Sequence, residues 1–280
     1  IVPMHQGMFK QLKRVEAVWP APNEALNWDD LSATLRDKDA PQSLCVLNLK
    51  RHAHALLKAM QGTEGLCHLS TNLCTAHRRA VLDEVRVRLH PAHPQPCRLI
   101  STQCVEAGVD LDFPLVYRAM APLEAIVQAA GRCNREGRMN LTGQLGRVRV
   151  FEPASDTNER RCMFPSFAYF QASEVTISLL RESGGVLDIN DPDVFRRYYQ
   201  ALYGVSRPAE QNRDLKKAID ELDFPEIAQR YRLIDQDAIQ IVVPWQHCFA
   251  QYEQLRKQAA SGINGKWMRD AQALSVSIYR

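Results

Sequence analysis

From residue 44 onward the chain alternates short apolar runs with segments whose apolar residues recur every three or four positions. Leu44–Leu49 predicts a buried strand, and His52–Gln61 follows with Ala53, Leu56, Leu57 and Met60 on one helical face. Gly62 is placed to end that helix. Leu66–Leu69 predicts a strand. Thr75 then stands as the cap of a helix running to Leu89, with Val81, Leu82, Val85 and Leu89 as its stripe and Pro91 beyond. Cys97–Thr102 and Pro114–Met120 predict strands, and Pro122 opens a helix over Leu123–Arg132. Arg147–Phe151 alternates like a last strand. Strand–helix alternation of this kind predicts an α/β fold, a parallel sheet with flanking helices.

After Pro153 the pattern changes. Residues 164–183 and 191–222 predict helices separated by Gly184-Gly185, with turn signals at Asp191-Pro192 and Arg207-Pro208. A mixed tail follows Phe224-Pro225: a helix near Glu226–Arg232, a strand at Ile239–Val243, a helix near His247–Ala259 and a strand at Leu274–Tyr279. Residues 1–40 hold one alternating run, Phe9–Val18, and one short helix after Asn27. The expected division is a sheet domain over 1–152, a helical linker over 153–224 and a small α+β domain over 225–280.

Composition narrows the classes. At 45% hydrophobic and 24% charged residues, the 280-residue chain can bury a core, which excludes a disordered tail or a disulfide miniprotein. The longest apolar runs, such as Ile239–Pro244, fall far short of the ~18 residues a membrane helix needs, so no membrane partner is expected. The eight cysteines include no C-x-x-C pair, and the loose set Cys67, His68, Cys74, His77, His90, His93, Cys97 matches no tetrahedral spacing, so no metal site is expected. Structural thiols in a cytoplasmic protein fit this usage. Residues 1–152 hold 19 Lys and Arg against 15 Asp and Glu, and residues 153–280 hold 16 against 17. The basic front half permits a polyanion partner without demanding one. Position 1 is Ile, so the chain is expected to be part of a longer polypeptide.

Two stretches carry chemistry. The first, Ser101–Pro114, follows a strand directly, where ligands bind in open parallel sheets. Ser101 and Thr102 can offer hydroxyls and backbone N–H groups to phosphate, Gly108 permits a turn or close approach, and Asp110 suits a ribose hydroxyl. Spacing alone equally admits a capped turn with Asp110 and Asp112 as turn residues. The second stretch, Gln128–Gly137, sets Gln128, Arg132 and Arg135 at i, i+4 and i+7, hence on one helical face. Gly131 inside that helix asks for a close approach by another backbone or a ligand. Aligned guanidiniums suit a triphosphate, although a solvated basic face is the plain alternative.

In this order and spacing the two stretches resemble motifs V and VI of superfamily 2 helicases. "STQCVEAGVDLDFP" followed by "QAAGRCNREG", with "HLSTNLCTAHRR" and "CVLNLKRHA" upstream and "YRLID…IQIVVPW" in the tail, resembles the type I CRISPR-associated helicase–nucleases, most closely their type I-C branch. The resemblance runs from about residue 9 to the C-terminus and is strongest over 44–152. It implies an ATP-dependent translocase of single-stranded DNA with a nuclease domain and two RecA-like domains, of which this chain supplies the second, a linker and a C-terminal domain. It implies that Arg132 and Arg135 are the motif VI arginines that reach the γ-phosphate, with Gln128, Gly108 and Asp110 near the nucleotide. It implies nucleic-acid contacts at Asn48, Lys50, Arg51, Arg78, Ser101 and Thr102. Leu49 stands where the family carries a small hydroxyl residue, which removes one side-chain phosphate contact. ATP and Mg2+ are implied cofactors, held mainly by a first RecA domain outside this chain. Implied partners are single-stranded DNA, the nuclease and first RecA domains of the same protein, and a CRISPR RNA-guided surveillance complex.

Several expected parts are absent from these residues. No G-x-x-x-x-G-K-[ST] occurs, and Gly262–Trp267 lacks the spacing and the hydroxyl, so it is expected to be a turn. No Asp-Glu-x-His or Asp-Glu-x-Asp follows an apolar strand, and none of the eight histidines precedes an Asp. The chain is therefore expected to be one jaw of a motor, inactive alone. The alternative is a non-catalytic RecA-like module for nucleic-acid binding or partner docking; a DEAD-box RNA protein explains less, because its motif wording differs.

Overall fold

The computed structural model describes residues 13–22, 24–106, 108–154, 157, 159–206, 213–230 and 238–279. The main sheet contains β1 (Val15–Val18), β2 (Ala25–Leu26), β3 (Gln42–Val46), β4 (Leu66–Leu69), β5 (Cys97–Ser101), β6 (Leu115–Ala119) and β7 (Gly146–Pro153). Its order is β1-β7-β6-β3-β5-β4, with β2 extending the far end of β7. Every described pairing in it is parallel. Strand β5 is buried at every position, as a strand covered on both faces must be.

Five helices accompany the strands: α1 (Trp28–Leu35), α2 (Lys50–Ala59), α3 (Thr75–Arg88), α4 (Leu123–Ala130) and α5 (Phe167–Glu182). Leu31 and Leu35 of α1 and Ala53 and Leu56 of α2 pack over Cys45, Leu47, Ile100, Tyr117, Ala119 and Phe151 to form the core of one face. Helix α4 packs on β6 and on α5. Asn27 caps α1 by accepting from the Asp30 N–H at 2.9 Å. This is the strand–helix alternation expected from the pattern, with one addition. Part of the alternating run at residues 9–18 is β1, an edge strand paired with β7; residues 9–12 lie outside the described residues.

Contacts divide the chain into two units, 1–198 and 199–280. The expected boundaries were 152 and 224. The difference lies in α5, which buries Ala172, Val175, Thr176, Ile177, Leu179 and Leu180 within the first unit. Helix α6 (Pro192–Ser206) begins in the first unit and ends in the second. The second unit holds α7 (Arg213–Asp220), α8 (Phe224–Arg230), an antiparallel pair β8 (Ala238–Val242) and β9 (Ser275–Tyr279), and between these strands α9 (Phe249–Ala259) and α10 (Gly265–Ala271). Helix α10 corrects the expected turn at Gly262–Trp267. Asn264 caps it through a 2.9 Å bond from the Trp267 N–H, and Trp267 Nε1 donates to the Leu255 carbonyl at 2.8 Å. The turn signal at Arg207-Pro208 and the "YRLID" segment lie outside the described residues. No helix among the described residues is long and apolar enough to cross a membrane.

Two further corrections bear on the site. Cys74, not Thr75, is the N-cap of α3 and gives no side-chain bond. Helix α4 stops at Ala130, with Gly131 as its C-cap, so it does not reach Arg132.

Candidate phosphate and nucleic-acid site at the carboxyl ends of the strands

Because α4 ends early, Gln128, Arg132 and Arg135 do not share a helical face. The chain after Gly131 turns back and forms a one-residue parallel bridge, Phe113 with Cys133. The Phe113 N–H donates to the Arg132 carbonyl at 2.8 Å, and the Asn134 N–H donates to the Phe113 carbonyl at 2.9 Å. Asn134 holds the left-handed conformation at φ 43°, which Asn tolerates better than most residues. Its side chain donates to the Arg14 carbonyl at 2.9 Å and to Asn140 Oδ1 at 2.7 Å. Gly146, the first residue of β7, lies beneath this turn; a Cβ there would stand 2.7 Å from both Cys133 Sγ and Asn134 Cβ. The close approach expected at Gly131 occurs instead at Gly146. Gly131 is exposed, and its nearest neighbours are carbonyls of its own helix.

The bridge sets both arginines against the loop that follows β5. Arg132 Nε donates to the Val105 carbonyl at 3.0 Å and Nη2 to the Glu106 carbonyl at 2.7 Å. These bonds use two of the five N–H donors of a guanidinium. Partial burial and then the neighbouring Arg135 lower the Arg132 pKa, while Asp110 and Glu106 raise it. Arg135 Nε lies 3.1 Å from Asp110 Oδ1, and the Arg135 N–H donates to Asp112 Oδ1 at 2.7 Å. Asp112 thus acts as the turn residue that spacing admitted, and Asp110 pairs with an arginine. Gly108 sits at φ +71° with open space where a side chain would project. Gln128 is exposed on the last turn of α4.

The expected nucleic-acid residues divide into buried and exposed sets. Ser101 is fully shielded and donates to the Leu69 carbonyl at 3.0 Å, and Thr102 is also buried. Asn48 is buried: Nδ2 donates to the Met120 carbonyl at 2.8 Å, and Oδ1 accepts from Arg118 Nη1 at 2.7 Å. The side chains of these three residues are committed inside the protein. Lys50 and Arg51 are exposed at the start of α2, whose first turn has no acidic residue and no side-chain cap. A cation there opposes the helix dipole, a cost that a bound anion offsets. Arg51 Nη2 also donates to the Cys162 carbonyl at 2.5 Å.

Arg78 lines a cleft of about 350 Å³ with Leu69, Thr75, Arg79, Leu82, Arg86, Cys104 and Val109. Three arginines and no acidic residue face it. Arg79 and Arg86 were not singled out from sequence; the signal was the line Arg78, Leu82, Arg86 at i, i+4 and i+8. Cys104 and Val109 belong to the loop whose carbonyls at Val105 and Glu106 and whose Asp110 hold the two arginines, so that loop contributes to both features. The donor set, guanidiniums and an amide, fits phosphate oxygens. No group of three or more His, Cys, Asp or Glu able to hold a metal occurs among the described residues.

Residues 42–138 match the family model described as "CRISPR-associated nuclease/helicase Cas3, C-terminal". A "CRISPR-associated nuclease/helicase Cas3" from Haloferax volcanii is 52% identical over 64 residues, 23% of this chain and 7% of that protein. One from Methanothermobacter thermautotrophicus is 22% identical over 214 residues, 75% of this chain and 25% of that protein. The chain thus spans a quarter or less of the length of these curated relatives. Among solved structures, "T. fusca Cas3-ATP" superposes with TM-score 0.63 at 16% identity, covering 96% of this chain and 36% of that one. A chain of a "CRISPR RNA-guided surveillance complex, pre-nicking" gives TM-score 0.61 at 17% identity, covering 95% and 37%. At these identities the superpositions establish the RecA-like fold.

Proposed function

We propose that this chain, whose residues 42–138 match the Cas3 C-terminal family model, is the second motor half of an ATP-driven translocase of single-stranded DNA in CRISPR interference. One observation carries the reading: the loop after β5 holds an arginine pair suited to nucleotide phosphate through Val105, Glu106 and Asp110, and through Cys104 and Val109 it lines a cleft of three arginines suited to a phosphodiester backbone. Phosphate transfer stresses a charged transition state, and an arginine supplied across a domain cleft lowers the barrier by ~4–7 kcal/mol, or ~10³–10⁵ in rate.

In this reading Arg132 and Arg135 reach the terminal phosphates of ATP held by the first RecA domain. Gln128, Gly108 and Asp110 border the same nucleotide, and Mg2+ belongs to the first domain. Arg78, Arg79 and Arg86, with Lys50 and Arg51, meet the DNA backbone; Ser101, Thr102 and Asn48 shape the loop from inside. The likeness to a Cas3 structure with ATP and to a chain of a CRISPR RNA-guided surveillance complex supports this reading.

The test uses the full-length protein. Arg132→Ala or Arg135→Ala should abolish ATP turnover and leave DNA binding largely intact. Lost DNA binding with normal turnover would overturn the assignment, as would DNA-stimulated ATP hydrolysis by this chain alone. Normal turnover in both variants, with DNA still bound by the chain, would favour the non-catalytic module instead.

A further inference from the structure

Arg118 lies on β6, in the middle of the sheet, and its side chain is fully shielded from water. Its Nη1 donates to Asn48 Oδ1 at 2.7 Å and to the Ala119 carbonyl at 3.0 Å. Its Nη2 donates to the Tyr169 hydroxyl at 2.6 Å and stands 2.9 Å from Glu106 Oε1. Glu106 is 6% exposed at its side chain and belongs to the short turn after β5. Gln103, in the same turn, donates to the Asn48 carbonyl at 2.9 Å. Four segments therefore meet on one buried charge: the end of β3, β6, the turn after β5, and α5.

A network like this is a poor way to stabilise a fold. Desolvating two charges cancels much or all of their attraction. Here the pairing is also incomplete among the described residues. Arg118 Nε has no hydrogen-bond partner. Burial pushes the Glu106 carboxyl up, while Arg118 and then Arg132 pull it down. The network holds something specific: the carbonyls of Val105 and Glu106, which fix two N–H groups of Arg132.

We infer that Glu106, Arg118, Asn48 and Tyr169 are positioning residues that aim Arg132 at the nucleotide phosphate, with Tyr169 tying that aim to helix α5. The inference rests on the reading of Arg132 as a phosphate-reaching arginine. Glu106 holds the loop, Arg118 holds Glu106, and the Asn48 amide and Tyr169 hydroxyl orient Arg118. A displacement of α5 would reach Arg132 through three polar contacts, without the helix touching nucleotide.

The test separates aim from stability by replacing the pair with apolar side chains. In the full-length protein, Arg118→Met alone strands the Glu106 carboxylate and should lower the melting temperature. The double variant Arg118→Met, Glu106→Leu should recover that temperature yet keep kcat for ATP down about tenfold to a hundredfold, the scale of a misplaced catalytic group. KM for ATP and affinity for single-stranded DNA should change less than about threefold. Tyr169→Phe, which removes one acceptor of the buried guanidinium, should lower kcat about threefold with KM for ATP unchanged and should lower the melting temperature less than Arg118→Met does. Amide hydrogen exchange at residues 104–108 and 132–135 should quicken in the double variant, a readout independent of nucleotide. A double variant with restored stability and wild-type kcat would overturn the proposal, and so would unchanged exchange. Wild-type turnover in Arg132→Ala would instead overturn the underlying reading of the arginine, whatever the exchange shows.

Discussion

The two ends of the same parallel sheet differ in kind. At the amino ends of the strands lies the larger cleft, about 940 Å³, lined by Glu16, Asp37, Asp39, Tyr117, Arg147, Arg149 and the prolines 41, 94, 96 and 114. The basic cleft at the carboxyl ends is about 350 Å³. Size favours the first as a site and chemistry favours the second. In the larger cleft both signs of charge are present, Arg149 lies over the Tyr117 ring at 5.9 Å, and proline supplies no N–H donor. At the carboxyl ends one sign of charge faces the cleft, and the loop beside it holds two more arginines, Arg132 and Arg135. The loops that connect strand to helix carry adaptable chemistry, and in parallel sheets they lie at the carboxyl ends.

The contrast can be broken in order of expected effect. Arg132→Ala in the full-length protein should lower ATP turnover by ~10³–10⁵, measured at saturating DNA; a loss under tenfold would place the chemistry elsewhere. Arg118→Met should cost about 3–5 kcal/mol in a denaturant titration, the penalty for an unpaired buried charge. A cost below 1 kcal/mol would mean that water reaches the Arg118 site. Replacing Arg78, Arg79 and Arg86 together by Ala should flatten the salt dependence of single-stranded DNA binding by about two log units per log unit of salt, at ~0.7 per phosphate contact. An unchanged slope would remove the cleft from the DNA path. Arg149→Ala should change neither turnover nor DNA affinity and should cost only about 0.5–1 kcal/mol from the lost ring contact. A tenfold loss of DNA affinity there would reverse the ranking of the two ends.

How legible the site was depended on the range of the contacts. The strand at Cys97–Ser101 read directly from its sequence, because burial on both faces leaves few other residue types possible, and the edge strand at Leu66–Leu69 read from its short apolar run. Helix α4 was overextended. The apolar spacing of Leu123, Ile126, Val127 and Ala130 continued smoothly into Gly131, and nothing local announced the bridge from Phe113 to Cys133. The arginines were found from their motif, but the geometry assigned to them was that of a helix face. Asn48 was grouped with the nucleic-acid residues, and its buried side chain accepts from Arg118, 70 positions away. Glu106 and Tyr169 gave no warning in sequence. An arginine within an apolar strand is a visible anomaly, yet its partners sit on three other segments.

By itself the sequence determined the alternation of strand and helix and the parallel sheet. These follow from periodicity and side-chain chemistry, which act over a few residues. Only the tertiary structure decided that β1 joins the sheet beside β7, that helix α5 belongs to the first unit, and that Arg132 hangs from two carbonyls rather than from a helix. Each of these depends on pairing between segments distant in the chain. Such pairing is set by which apolar faces and buried polar groups find partners when distant segments pack together.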